Sequence, residues 1–167
     1  MKVWGIVGWK NSGKTGLMER LVAEFVARGL KVSTLKHAHH VFDVDQEGKD
    51  SYRHRVAGAT EVLLASRRRW ALMHELRDEE EQGLAALLAK LGPVDLVLVE
   101  GYKRDLHPKI EAHRAETGDE LIAFDDRTIR AVASDCGAKA PDRPAFHIDD
   151  TSAIADFISK ELGLPDA

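Results

Sequence analysis

"GWKNSGKT", residues 8–15, follows the β-branched apolar run Lys2 to Val7 and leads directly into a helical pattern. The octet fits G-x-x-x-x-G-K-[ST], in which glycines let successive backbone N–H groups turn inward around a phosphate at a helix N-terminus. Gly8, Asn11, Ser12, Gly13, Lys14, Thr15 and Gly16 are therefore the expected phosphate-binding residues. Lys14 is placed to neutralise the β- and γ-phosphates, and the Thr15 hydroxyl to join a Mg²⁺ sphere otherwise partly filled by water. Trp9 is unusual in such a loop, because an exposed indole there would cover either a base or a protein surface.

Working outward, Leu17, Leu21 and Phe25 recur at helical spacing beside Met18, Val22 and Val26, which predicts a helix over Lys14 to Arg28 stopped by Gly29. Lys31 to Leu35 reads as a second strand, followed by a polar loop rich in His and Asp; long irregular loops of this kind are usually functional. Ser51 to Ala57 suits a short helix, and Glu61 to Ala65 with Trp70 to His74 suits a hairpin. A helix is expected over Glu79 to Leu91, and the wholly apolar Leu96 to Val99 reads as a central parallel strand. Short strands are expected at Ile110 to Ala112, Leu121 to Phe124, Ile129 to Ala133 and Ala145 to Ile148, then a helix from Thr151 or Ser152 to Leu162. The pattern predicts an α/β P-loop NTPase fold: a doubly wound, mostly parallel sheet flanked by helices, with a projecting β-hairpin and ligand at the carboxyl ends of the strands.

A chain of 167 residues at 44% apolar content can bury one sizeable core, so a single domain over residues 1–167 is expected. The balance of 24 basic against 28 acidic residues, net −4, disfavours nucleic acid as a partner. Cys136 is the sole cysteine, which excludes an internal disulfide and fits a reducing cytoplasm. No run of about 18 apolar residues suggests a membrane span.

Glu100, at the end of the central strand, is the natural carboxylate to complement the loop, either through Mg²⁺ or by orienting an attacking water. Asp43 and Asp45 are rival metal ligands, since switch-type loops reach the γ-phosphate from that position. The cluster His37, His39 and His40 lacks zinc spacing, and Lys36 and His37 read instead as anion donors. Together with Lys49, Asp50, Tyr52, Arg53 and Lys103, they suggest a second anion or ligand pocket. The usual guanine-reading Asn-Lys-x-Asp element is missing. Asp135, with Ser134 before it, follows the strand in "AVASD" and could accept from both N1–H and the amino group of guanine.

The blocks "GWKNSGKT", "TLKHAHHVFDVDQEGKDSYRHRVAGA", "DLVLVEGYKRDLHPKIEAHR" and "AVASD" together resemble the MobB family of molybdopterin-guanine dinucleotide biosynthesis adaptors, from Met1 to about Asp135. The resemblance implies a cytoplasmic, weakly hydrolysing, GTP- and Mg²⁺-binding homodimer. It would assist the molybdenum cofactor guanylyltransferase, with molybdopterin itself and molybdoenzyme chaperones as further candidate partners. Trp9, Lys10 and Asn11 depart from the family's small, Ser- and Gly-rich loop, so phosphate approach requires those side chains to point outward. Two other readings stay open at this stage: a P-loop small-molecule kinase, with Arg53, Arg55 or Lys103 on the transferred group, and a non-hydrolytic nucleotide or molybdopterin carrier.

Overall fold

The computed structural model describes residues 1–38 and 42–165. The chain divides into two compact units, residues 1–37 with 87–167, and residues 38–86.

The first unit contains strands β1 (Lys2–Val7), β2 (Val32–Lys36), β5 (Leu96–Glu100), β6 (Lys109–His113), β7 (Ile129–Ser134) and β8 (Ala145–His147). They form one parallel sheet in the order β2-β5-β1-β6-β7-β8. Helices α1 (Lys14–Ala27) and α4 (Thr151–Leu162) cover one face, where Leu17, Leu21, Phe25, Ile154 and Ile158 pack on Trp4, Ile6, Leu96 and Leu98. Because side chains alternate along a strand, Val7 and Val132 point the other way, into a smaller cluster with Leu121, Ala123 and Ile129. The expected helix start, hairpin and central strand are all present, and β5 is buried along its whole length.

Two expected elements take another form. The strand expected over Leu121 to Phe124 is instead a single 3₁₀ turn at Ile122–Phe124. Its physical cause is Glu111, fully buried on β6, whose carboxylate accepts the Ile122 and Ala123 N–H groups at 2.9 and 2.8 Å. Those donors are then lost to any ladder. The helix expected over Glu79 to Leu91 shrinks to α3 (Leu84–Leu88). Gly83 costs about 1 kcal/mol in a helix interior, and Glu79 turns back to His74 Nε2 at 3.3 Å.

In the second unit, α2 (Asp50–Val56) precedes an antiparallel hairpin of β3 (Glu61–Ala65) and β4 (Trp70–His74), registered Leu63 to Leu72 and Ala65 to Trp70. One face of this hairpin carries Leu63, Trp70 and Leu72, all exposed.

Parallel strands β5 and β6 are joined without a helix by residues 101–108, which return across β1, where the Gly5 N–H donates to the Pro108 carbonyl. Gly5 has no side chain for a definite reason: a Cβ there would lie 2.5 Å from His107 Nε2. Both His107 ring nitrogens are buried without a hydrogen-bond partner among the described residues. Burial, reinforced by the nearby Lys109 charge, pushes the imidazole down to about 4. The folded chain therefore resists a proton that an unfolded histidine, near pH 6.5, takes up readily, so stability is lost as pH falls from about 6.5 towards 4. We expect that loss to be on the order of 1–2 kcal/mol, reduced from the full shift by partial exposure. His107→Phe should remove it: the gap between the urea midpoints of the two proteins should change between pH 7 and 4.5, and a constant gap would contradict the assignment.

Candidate phosphate-binding site

The loop after β1 turns into α1 through backbone conformations that its residue types permit. Gly8 has φ +147° and Gly13 φ +90°, and Asn11 sits at φ +65°, a left-handed conformation asparagine tolerates better than most residues. A Cβ on Gly8 would lie 2.3 Å from the Ala112 carbonyl oxygen and 2.4 Å from Ser12 Oγ. The chain there runs against β6 with no room for a side chain. Ser12 is buried, while Lys10, Asn11 and Thr15 face outward. Gly13 caps α1 without a side-chain hydrogen bond, and the first turn of the helix carries no acidic residue. An uncapped helix N-terminus leaves N–H groups free to bind an anion.

Charged side chains reinforce that polarity. Glu100, at the carboxyl end of β5, is 8% exposed and pairs with Lys36 Nζ at 3.2 Å. Lys14 extends back over the loop, donating to the Trp9 carbonyl and, at 3.5 Å, to Ser12 Oγ. Burial lowers its affinity for a proton; Glu100 opposes this, while Lys103 and Lys36 add to it as neighbouring positive charges. Three ammonium groups thus lie close enough to affect one another beside a helix N-terminus, an arrangement that favours a polyanion.

The next parallel strands end on the same edge. Ser134 ends β7, and Asp135 follows it, holding the Ala115 N–H on Oδ1 at 3.0 Å. His113 Nε2 donates to the Asp119 carbonyl at 3.2 Å, which leaves Nδ1 as an acceptor for Ser134 Oγ at 3.3 Å. These bonds tie the segment after β6 to the end of β7 and fix the Asp135 carboxylate. Residue types alone do not announce Arg114, yet its Nε lies only 2.9 Å from where a Gly13 Cβ would stand. An isolated arginine at a strand end carries no sequence signal, and its closeness to the loop follows only from pairing β1 with β6.

The expected second pocket divides between the units. Lys36, His37 and Lys103 belong to the first, with the His37 and Tyr102 rings 4.8 Å apart and Lys103 Nζ over the Trp9 ring at 4.2 Å. Lys49, Asp50, Tyr52 and Arg53 belong to the second, at the start of α2. Asp43 and Asp45 lie there too, and both accept from Arg55, at 2.6 and 3.2 Å; Glu75 takes a third guanidinium N–H at 2.8 Å. Ser51 Oγ also donates to Asp45 at 2.7 Å. Hydrogen bonding to Arg55 holds the Asp43 carboxyl below its usual range. His39 and His40 lie outside the described residues, and among those described no group of three His, Cys, Asp or Glu side chains is arranged to hold a metal.

The chain is similar to known proteins along most of its length. The family model described as molybdopterin guanine dinucleotide synthesis protein B matches residues 3–135. The molybdopterin-guanine dinucleotide biosynthesis adapter protein of Escherichia coli is 42% identical over 155 residues, covering 90% of this chain and 87% of the relative. That of Haemophilus influenzae is 42% identical over 158 residues, covering 95% and 88%. Among solved structures, a MobB protein homolog from Bacillus stearothermophilus superposes with TM-score 0.74 at 30% identity, over 99% of this chain and 100% of that one. Bacillus subtilis MobB superposes with TM-score 0.75 at 26% identity, over 97% and 98%.

The geometry of Gly8 yields a test that is independent of ligand identity. Gly8→Ala should lower stability by roughly 1–3 kcal/mol through strain and backbone overlap, and should abolish tripolyphosphate binding measured by calorimetry. Wild-type binding in that variant would show that the loop does not enclose the phosphates.

Proposed function

Since the chain belongs to the MobB family, we propose that it is a GTP-binding adaptor which assists the guanylyltransferase forming molybdopterin-guanine dinucleotide. The observation that carries the nucleotide reading is the uncapped start of α1, with Lys14, Lys36 and Lys103 acting beside it. Gly8 to Thr15 wrap the phosphates, and Lys14 leaves the Trp9 carbonyl to neutralise the β- and γ-oxygens. Asp135 reads the base. Its carboxylate is held in place by the Ala115 N–H and keeps acceptor capacity for the N1–H and amino group of guanine, a pair of donors that adenine lacks.

Thr15 and Glu100 offer a hydroxyl and a carboxylate, hard oxygen donors of the kind Mg²⁺ takes while keeping several waters, so this pair fits the ion. When bound, Mg²⁺ would supply charge neutralisation to the phosphates. Glu100 is favoured over Asp43 and Asp45 because both aspartates already bind Arg55, whereas Glu100 pairs with the exposed Lys36 and lies near Lys14, lysines that can turn to phosphate. Glu100 in turn orients a water for slow hydrolysis, the task a strand-end carboxylate can perform once Lys36 turns to phosphate.

Homodimerisation is the proposed role of the hairpin. Leu63, Trp70 and Leu72 form one exposed apolar face on two paired strands, the kind of surface that marks a protein interface. No helix is long and apolar enough to cross a membrane among the described residues.

Titration with GTP and with ATP in the presence of Mg²⁺ should show GTP bound at least about tenfold more tightly, a preference that disappears in Asp135→Ala as the paired donors lose their acceptor. Equal affinities in the unaltered chain would remove Asp135 from base recognition. Light scattering on the same preparations should give the mass of two chains, falling to one in Leu72→Glu, and a monomer at micromolar concentration would count against the hairpin.

A further inference from the structure

Trp9 holds two ammonium groups at once. Its carbonyl accepts from Lys14 Nζ at 2.5 Å, and Lys103 Nζ stands 4.2 Å from the centroid of its ring. The indole is itself anchored, because Nε1–H donates to the Glu120 carbonyl at 2.8 Å. A neutral ring and a carbonyl are weak partners for two cations, and both would be surpassed by phosphate oxygens. Lys103 stays close enough to Lys14 to disfavour its charge.

Position in the chain says which phosphate Lys103 would meet. Glu100 ends β5, and Lys103 follows three residues later, after Gly101 and Tyr102 have turned the chain through two left-handed conformations, φ +95° and +50°. In phosphate-loop sites the loop and its lysine cradle the β- and γ-phosphates, and switch segments outside the loop are ordered by contacts to the γ-phosphate, the terminal one. Burial lowers the proton affinity of Lys103, and the nearby carboxylates of Glu111 and Asp119 oppose that effect.

We propose that Lys103 is a phosphate-contacting residue that rests on Trp9 and moves to the terminal phosphate of a bound nucleoside triphosphate, so that the site favours triphosphates over diphosphates. The proposal depends on the nucleotide reading of the loop. Trp9 then has a function that a small loop residue could not supply: it gives Lys103 somewhere to wait and registers its departure.

The test compares a non-hydrolysable GTP analogue with GDP on the full chain, by calorimetry and by tryptophan emission. In Lys103→Met the ratio of triphosphate to diphosphate affinity should fall about tenfold, the loss expected for one charge-assisted contact, with GDP affinity changed less than about twofold. Lys103→Arg should keep the ratio. The emission of Trp9, taken as the difference between the unaltered chain and Trp9→Phe, should change more with the triphosphate. An unchanged ratio, or an equal fall for both nucleotides, would overturn the role of Lys103 while leaving nucleotide binding intact. Absence of binding by the unaltered chain would overturn the nucleotide reading and this proposal with it. Should Lys103→Met fail to fold, equal Trp9 responses to the two nucleotides would still overturn the proposal.

Discussion

A helix that begins on a left-handed glycine, with no side chain capping it and no carboxylate in its first turn, has backbone N–H groups that need an acceptor. Much of the carboxyl edge of the sheet follows from that need. The loop must approach β6 so closely that Gly8 admits no Cβ, and the chain must reverse within eight residues, which places Asn11 and Gly13 in left-handed conformations. The parallel order of the sheet then delivers the other groups, because parallel strands end on a common edge. Glu100 arrives beside β1 on one side, and the segments after β6 and β7 arrive on the other.

Electrostatics at this edge is unbalanced by design of the same geometry. Lys14 and Lys36 act near Glu100 and Lys103 lies near Glu111 and Asp119, and each ammonium rests on a replaceable contact: the Trp9 carbonyl, Glu100 and the Trp9 ring respectively. A polyphosphate would replace all three with stronger contacts. The buried charges elsewhere are treated differently. Lys109, fully buried, is bound by Asp126, Thr128 and the Asp105 carbonyl, and Glu111 is bound by two backbone N–H groups. Those two shape the strand connections, and their bonds are made within the fold. The contrast between satisfied interior charges and loosely held edge charges separates architecture from function in this chain.

Local chemistry made most of the fold readable. Gly13-Lys14-Thr15 before an apolar stripe, and the unbroken Leu96 to Val99, leave few alternatives for the helix start and the central strand. What escaped reading depends on contacts between distant positions. Nothing in "LIAF" shows that Glu111 will take its N–H groups and bend it into a 3₁₀ turn. Nor does the pattern show Arg55 gathering Asp43, Asp45 and Glu75, or Arg114 standing against Gly13. The phosphate loop was legible because its function lies in backbone conformations that glycine announces. The proposed base-reading side was only half legible: Asp135 could be named from its strand end, but the bond that steadies it comes from Ala115, and the link from His113 to Ser134 comes from another strand.

The central claim is that nucleotide held by this loop serves guanylyl transfer to molybdopterin. Its most direct test is dinucleotide cofactor formation by a molybdenum cofactor guanylyltransferase at limiting GTP, with the unaltered chain or Lys14→Ala added in equal amount. Stimulation by the unaltered chain and none by the variant is the predicted result; equal stimulation by both would show that the adaptor acts without the phosphate loop and would contradict the account.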